Sequence, residues 1–350
     1  MMKQDRPLSG RGSTATVANR GSSTMPHAAR LARLLLAKAM LTLSLLLPCL
    51  AGSAGAEDLS LPPKTYYRTK SVNGQPIFYR EAGDPKNATI VLLHGFPSSS
   101  HTYRELIPLL SPRYHVIAPD YLGSGYSGRP DPDQFTYTFD KLADHVIGLL
   151  EALKIGQFSI YMQDFGAPVG FRIVTRHPDK IRSLIIQNAN AYLDGLTPAR
   201  QAFFKKAQDD RSPAHVAFLH SLASREGIIE RQYLRDIAGE RHDVMNPDSW
   251  THDLAFLQSE KDRKIQVQLF QDYQSNIDAY PAWQTVLRTR QFPALIVWGE
   301  RDPAFIAAGA RAYLRDLPNA ELNLLDAGHF ALEEKPAEIA RFIRAFMARL

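Results

Sequence analysis

Three residues of this 350-residue chain have types and settings that could carry chemistry together: Asp164, Asp302 and His329. Asp164 stands at the apex of a turn within Ser159-Ile160-Tyr161-Met162-Gln163-Asp164-Phe165-Gly166-Ala167-Pro168-Val169-Gly170, where an apolar, β-branched and aromatic run passes into a helix-compatible pattern at Phe171, Ile173 and Val174. Asp302 lies just past the apolar run Ala294 to Trp298, and His329 just past the run Glu321 to Leu325. A carboxylate with an ordinary pKa near ~3.9 is ionised at neutral pH and needs no base in order to attack. It suits displacement at saturated carbon, which leaves an alkyl ester; a histidine oriented by a second carboxylate could then activate water against that ester. Each residue alone has a plainer role, Asp164 as a helix N-cap, Asp302 as a loop cap and His329 as an ordinary core or surface histidine. What favours chemistry is their joint position at strand ends, where parallel sheets bind ligands.

The elements that must position them read as alternating strands and helices. Ile77 to Tyr79, Thr89 to Leu93, Tyr114 to Ala118 and Ser183 to Ile186 have strand character, and Leu142, Val146, Leu149 and Leu150 share one helical face. The pattern predicts an α/β fold, a mostly parallel doubly wound sheet. It breaks over residues 191–288, which show no clear strand and carry amphipathic helical stretches (Phe203 to Ala207, His215 to Leu222, Ile265 to Tyr273). This block is expected to be a helical cap inserted between core segments 57–190 and 289–350. A closing helix is expected after Pro336, with Ile339, Phe342, Ile343 and Phe346 on one face.

The turn at Asp164 resembles the nucleophile elbow of the α/β-hydrolases, with Asp in place of the usual Ser. Gln163-Asp164-Phe165-Gly166 is similar to the branch that contains epoxide hydrolases and haloalkane dehalogenases. The order Asp164, Asp302, His329 is that family's order of nucleophile, acid and histidine. His94-Gly95-Phe96-Pro97 resembles the family's oxyanion loop, which implies that the backbone N–H groups of Phe96 and Phe165 face developing negative charge. Pro119-Asp120-Tyr121-Leu122-Gly123-Ser124-Gly125 resembles its glycine-rich loop, and no Walker pattern is present. After the preceding strand, where some dehalogenases keep their acid, this chain has Gln187-Asn188-Ala189-Asn190 and no carboxylate. The resemblance requires no metal or organic cofactor.

Substrate class turns on how the leaving group is held. Haloalkane dehalogenases typically have Trp after the nucleophile and often Asn after His-Gly; here these are Phe165 and Phe96. Haloacetate dehalogenases carry arginines at positions that are Phe165 and Pro168 here. Epoxide hydrolases use cap tyrosines to protonate the opening oxygen, and Leu269-Phe270-Gln271-Asp272-Tyr273-Gln274-Ser275-Asn276 resembles the stretch that supplies one, which makes Tyr273 the candidate donor. Tyr192, Tyr233 and Tyr280 are candidates for a second, and His94, Asn188, Tyr192 and Phe330 are expected to line the substrate pocket. The expected activity is opening of a small or medium apolar epoxide, with dehalogenation or another ester or C–X hydrolysis as the alternative. A non-catalytic ligand receptor of the same fold is the reading from another class.

The charge is unevenly placed. Residues 1–56 hold Lys3, Arg6, Arg11, Arg20, Arg30, Arg33 and Lys38 against Asp5, which is +6 of the chain's net +5 and leaves −1 for residues 57–350. The body therefore offers no electrostatic reason to expect nucleic acid. Basic residues up to Lys38, an apolar run from Ala39 to Leu50 and then Ala54-Gly55-Ala56 have the order of a secretory signal peptide. Cleavage is expected after Ala56 and export by the general route, to the periplasm or beyond, with no stable membrane insertion of the mature chain. The one cysteine, Cys49, falls inside this leader.

Overall fold

The computed structural model describes residues 61–350. The leader, Cys49 and the expected cleavage site lie outside the described residues. Eight strands form one sheet in the order β1-β2-β4-β3-β5-β6-β7-β8. They are β1 (Tyr66–Val72), β2 (Gln75–Ala82), β3 (Thr89–Leu93), β4 (His115–Pro119), β5 (Phe158–Gln163), β6 (Ile181–Gln187), β7 (Ala294–Gly299) and β8 (Glu321–Leu325). β2 runs antiparallel to both β1 and β4, and every other pairing is parallel.

The central strands are continuous apolar runs because both faces of the sheet are covered. Their period of two sends alternate residues to opposite layers. Val91 and Leu93 pack with Leu142 and Val146 of the helix Phe139–Ala152, whereas Ile90 and Leu92 pack with Ile339 and Ile343 of the helix Pro336–Met347. The C-terminal helix thus buries the stripe that its spacing predicts. β1 was not legible as a strand, because six of its seven residues are exposed and no alternation is imposed on it. The signal that could have found it is Asn73-Gly74, both at positive φ (50° and 76°), the two-residue turn that joins β1 to β2.

Between β6 and β7 the described chain is helical, with Pro198–Asp209, Pro213–Leu222, Pro247–Ala255, Glu260–Asp272 and Gln274–Arg290 as its longer elements. Side chains of Thr197, Ser212, Asn246 and Ser259 cap the first four of these. The stretches around Phe203, His215 and Ile265 are helices as expected, whereas Gln274–Arg290 was hidden by Pro281 in its interior. Polar contacts fasten this block to the sheet layer. Arg172 donates to Asn276 Oδ1 (2.6 Å) and Ser275 Oγ (3.0 Å), and the Tyr137 N–H donates to Gln268 Oε1 (2.7 Å). Among the described residues no helix is long and apolar enough to cross a membrane.

Candidate active site

Register brings the loops together. Leu93 of β3 pairs with Met162 of β5, Gln163 with Gln187 of β6, Gln187 with Val297 of β7, and Gly299 with Leu325 of β8. The segments that follow β3, β5, β6, β7 and β8 therefore leave one edge of the sheet side by side. Asp164 is the first residue past β5 and has φ +49°, a left-handed conformation uncommon for a residue with a side chain. Backbone bonds hold it there: its N–H donates to Asn188 C=O (3.3 Å), and its own carbonyl accepts Ala167 N–H (3.0 Å) as the helix Gly166–Arg176 begins. Strain of this kind persists only where the surroundings over-determine it.

The loop after β3 meets this turn closely. Phe96 N–H donates to Asp164 Oδ1 at 2.7 Å, and the Phe165 N–H stands beside the Asp164 carboxyl and favours its charge. Residue 95 must be glycine, since a Cβ there would stand 2.4 Å from Asp164 Cβ and 2.7 Å from its Oδ1. Burial pushes the Asp164 carboxyl above its ordinary pKa, with His329 and the two N–H groups opposing that shift.

His329 Nδ1 donates to Asp302 Oδ2 at 2.6 Å. Asp302 is fixed on its other side by the N–H groups of Ala304 (2.7 Å) and Phe305 (3.0 Å), and Asn188 Nδ2 donates to Oδ2 at 2.9 Å. Burial opposes ionisation of Asp302, but the His329 charge and hydrogen bond, the Phe305 N–H and Arg235 outweigh it and hold its pKa down. An ionised Asp302 requires the proton on Nδ1 of neutral His329, so Nε2 carries the lone pair toward Asp164 Oδ2, 3.6 Å away. Gln163 Nε2 lies 3.4 Å from that nitrogen. Burial also opposes a charge on His329, yet Asp302 and then Asp164 overcome it and raise its pKa above the ordinary 6.5.

A small cavity of about 40 Å³ opens on Asp164 and His329. Phe96, Phe165, Phe204, Phe270 and Phe305 form its apolar side, and Arg200, Gln232 and Arg235 of the helical block form a polar one. The sequence reading missed these three. They stand in no recognisable pattern, and only the return of the helical block over the sheet edge brings them to Asp164.

Several residues expected on the cavity wall stand elsewhere. His94 is fully buried and stacked on Tyr121 (4.1 Å between centroids); its Nδ1 donates to Gly95 C=O (3.1 Å) and its Nε2 accepts Tyr121 N–H (3.3 Å), which fastens two loops. Asn188 orients Asp302 and accepts Gly299 N–H (2.8 Å), so its amide is used within the protein. Tyr192 donates to Asp316 (2.7 Å) and Tyr233 to Asp253 (2.7 Å), which commits both hydroxyls. Phe330 stacks on Tyr233 (4.2 Å) and packs edge-on to His329 (5.2 Å). Tyr273 is buried one layer behind the wall, its ring stacked on Phe204 (3.7 Å) and set against Phe165 (5.8 Å), with Tyr280 beside its hydroxyl.

Comparison with known proteins places this arrangement. Residues 88–336 match the family model described as alpha/beta hydrolase fold. An uncharacterized hydrolase of Saccharomyces cerevisiae is 38% identical over 81% of this chain and 97% of its own length. A cis-3-alkyl-4-alkyloxetan-2-one decarboxylase of Xanthomonas campestris is 30% identical over 79% of this chain and 93% of its own. Among solved structures, haloalkane dehalogenase DbeA from Bradyrhizobium elkani superposes with a TM-score of 0.66 at 22% identity, covering 81% of this chain and 98% of the other. Epoxide hydrolase VrEH1 from Vigna radiata gives 0.66 at 20% identity, covering 82% and 99%. With its mostly parallel sheet, its elbow and a family match across most of its length, the chain belongs to the α/β-hydrolase fold family and is an enzyme of the hydrolase type, with a fold like that of haloalkane dehalogenases and epoxide hydrolases.

Proposed function

We propose that this chain hydrolyses a small molecule at an electrophilic saturated carbon through a covalent ester on Asp164, and that the substrate is an epoxide. The observation that carries the reading is the pose of Asp164: one oxygen accepts the Phe96 N–H at 2.7 Å, and the other faces His329 Nε2 across 3.6 Å. In the first step a carboxylate lone pair forms the C–O ester bond. The ring C–O bond breaks with its electrons going to oxygen, which takes a proton from water, because Tyr273 stands behind Phe204 and Phe165. In the second step water attacks the ester carbonyl and passes a proton to His329 Nε2, whose charge Asp302 stabilises. The Phe96 and Phe165 N–H groups hold the tetrahedral oxyanion; on collapse the ester C–O bond breaks toward the departing oxygen, which takes the proton from His329, and the carboxylic acid left on Asp164 loses its proton to solvent, releasing a diol. The narrow cavity at Asp164 and His329 favours small substrates over medium-sized ones.

Dehalogenation is the second reading. It is favoured by the position of Tyr273 behind Phe204 and Phe165, because a departing halide needs no proton. We also propose export of the mature chain, on the strength of the leader sequence; N-terminal sequencing of the protein recovered from cell fractions tests it.

The intact mass of the His329→Gln variant after exposure to epoxides and alkyl halides tests the mechanism. The expected result is an ester stranded on Asp164 whose mass gain equals a whole epoxide. A gain equal to an alkyl group without its halogen moves the chain to the dehalogenases. Turnover with no adduct at any time overturns the covalent reading.

A further inference from the structure

The polar side of the cavity is built from donors. Arg235 is committed: its guanidinium bonds Asp236 (2.5 and 3.1 Å) and stands 3.7 Å from Asp302 Oδ1. Arg200 is not committed. Its guanidinium lies 5.5 Å over the Phe203 ring, and among the described residues it has no carboxylate within 4 Å and no side-chain hydrogen bond. Gln232, beside it on the wall, likewise bonds no other side chain or backbone group among the described residues. Arg200 thus stands half-buried on the cavity wall with its donors free, where a planar anion could take charge-assisted hydrogen bonds. Burial and the neighbouring Arg235 accordingly push the Arg200 pKa down.

We propose that the substrate carries a carboxylate, held by Arg200 with the Gln232 amide as a further donor, and that the enzyme acts on small acids bearing an epoxide or a halogen. The inference rests on the reading of Asp164 as nucleophile and departs from the expectation of an apolar substrate. A planar carboxylate matches the paired N–H groups of a guanidinium better than a halide ion does. Arg200 also offsets the repulsion between an anionic substrate and the anionic nucleophile. The arginines expected of a haloacid enzyme beside the nucleophile are Phe165 and Pro168 here, and in this geometry the cation comes instead from the helix Pro198–Asp209.

The test uses matched pairs, oxirane-2-carboxylate against its amide and 3-bromopropionate against its amide. Ester formation is timed by intact mass in the His329→Gln background. The expected result is that each acid reacts at least tenfold faster than its amide, that Arg200→Gln lowers this preference about 30-fold, and that Arg200→Lys restores part of it. Amides that react as fast as the acids overturn the proposal and leave the Asp164 nucleophile standing. Binding is read separately, by the melting temperature of the wild-type protein and of Arg200→Gln with propionate, propionamide or bromide. Stabilisation of the wild type alone, by propionate alone, supports the site even where no ester forms, a result that overturns the nucleophile instead. Stabilisation by bromide equal to that by propionate assigns Arg200 to the departing halide and overturns the proposal.

Discussion

Asp236 Oδ2, in the helical block, accepts the backbone N–H of His329 at 2.9 Å. The same carboxylate binds Arg235, which in turn approaches Asp302. The cap-side segment that lines the cavity therefore also sets the position of the histidine loop. Asp236→Asn keeps an acceptor for that N–H, whereas Asp236→Ala removes it and leaves a buried donor unmade, at a cost of about 1–3 kcal/mol. Asp236→Ala is expected to melt several degrees lower and to accumulate the Asp164 ester, with Asp236→Asn intermediate. Calorimetry and rapid-quench mass analysis measure the two effects.

The raised pKa of His329 has a direction in pH. Water activation needs the neutral imidazole, so ester hydrolysis falls as pH drops through a value above 6.5. Ester formation needs only ionised Asp164, whose pKa lies above 3.8 because of burial, so in His329→Gln it keeps an acid limb governed by Asp164 and loses the upper one. Single-turnover rates across pH in both proteins separate the limbs. An identical profile in the two would contradict these assignments.

Gly95→Ala places a methyl group 2.4 Å from Asp164 Cβ. The turn has no slack, because Asp164 already sits at φ +49°. The Phe96 N–H is expected to move away from Asp164 Oδ1, with turnover down at least 10²-fold, the scale of losing one oxyanion donor. The rate of ester breakdown measures it, with circular dichroism as the check on folding.

Asn188→Ala removes three buried hydrogen bonds, those to Asp302 Oδ2 and Gly299 C=O and the one from Gly299 N–H. It also puts alanine at φ +42°. Loss of about 2–4 kcal/mol of stability is expected from the unmade bonds and the strain, with a larger fall in kcat than rise in KM, because Asn188 touches Asp302 and not the cavity. Denaturant unfolding and steady-state kinetics check the two parts.

Tyr273→Phe tests the source of the proton. An alkoxide needs a proton and a halide does not, but Tyr273 stands behind Phe204 and Phe165, so ester formation from an epoxide and from the matching bromide is expected to change alike and by less than about threefold. Slowing of the epoxide reaction alone would make Tyr273 the donor.

The sheet and the trio of Asp164, Asp302 and His329 were legible in the sequence because they depend on local pattern. Buried parallel strands must be apolar runs, each candidate residue sits within a few positions of a strand end, and parallel pairing aligns those ends whatever the intervening loops contain. What tertiary structure decided is the wall opposite Asp164. Arg200, Gln232 and Arg235 meet Asp164 only because helices packed by long-range contacts fold back over the sheet edge, and no periodicity records that return. Hydrogen-bond partners followed the same rule: His94, Asn188, Tyr192 and Tyr233 all have side chains able to bind a substrate, yet each is occupied by Tyr121, Asp302, Asp316 or Asp253. Residue type states what a group can bond, and only the packed chain states whether a partner already has it.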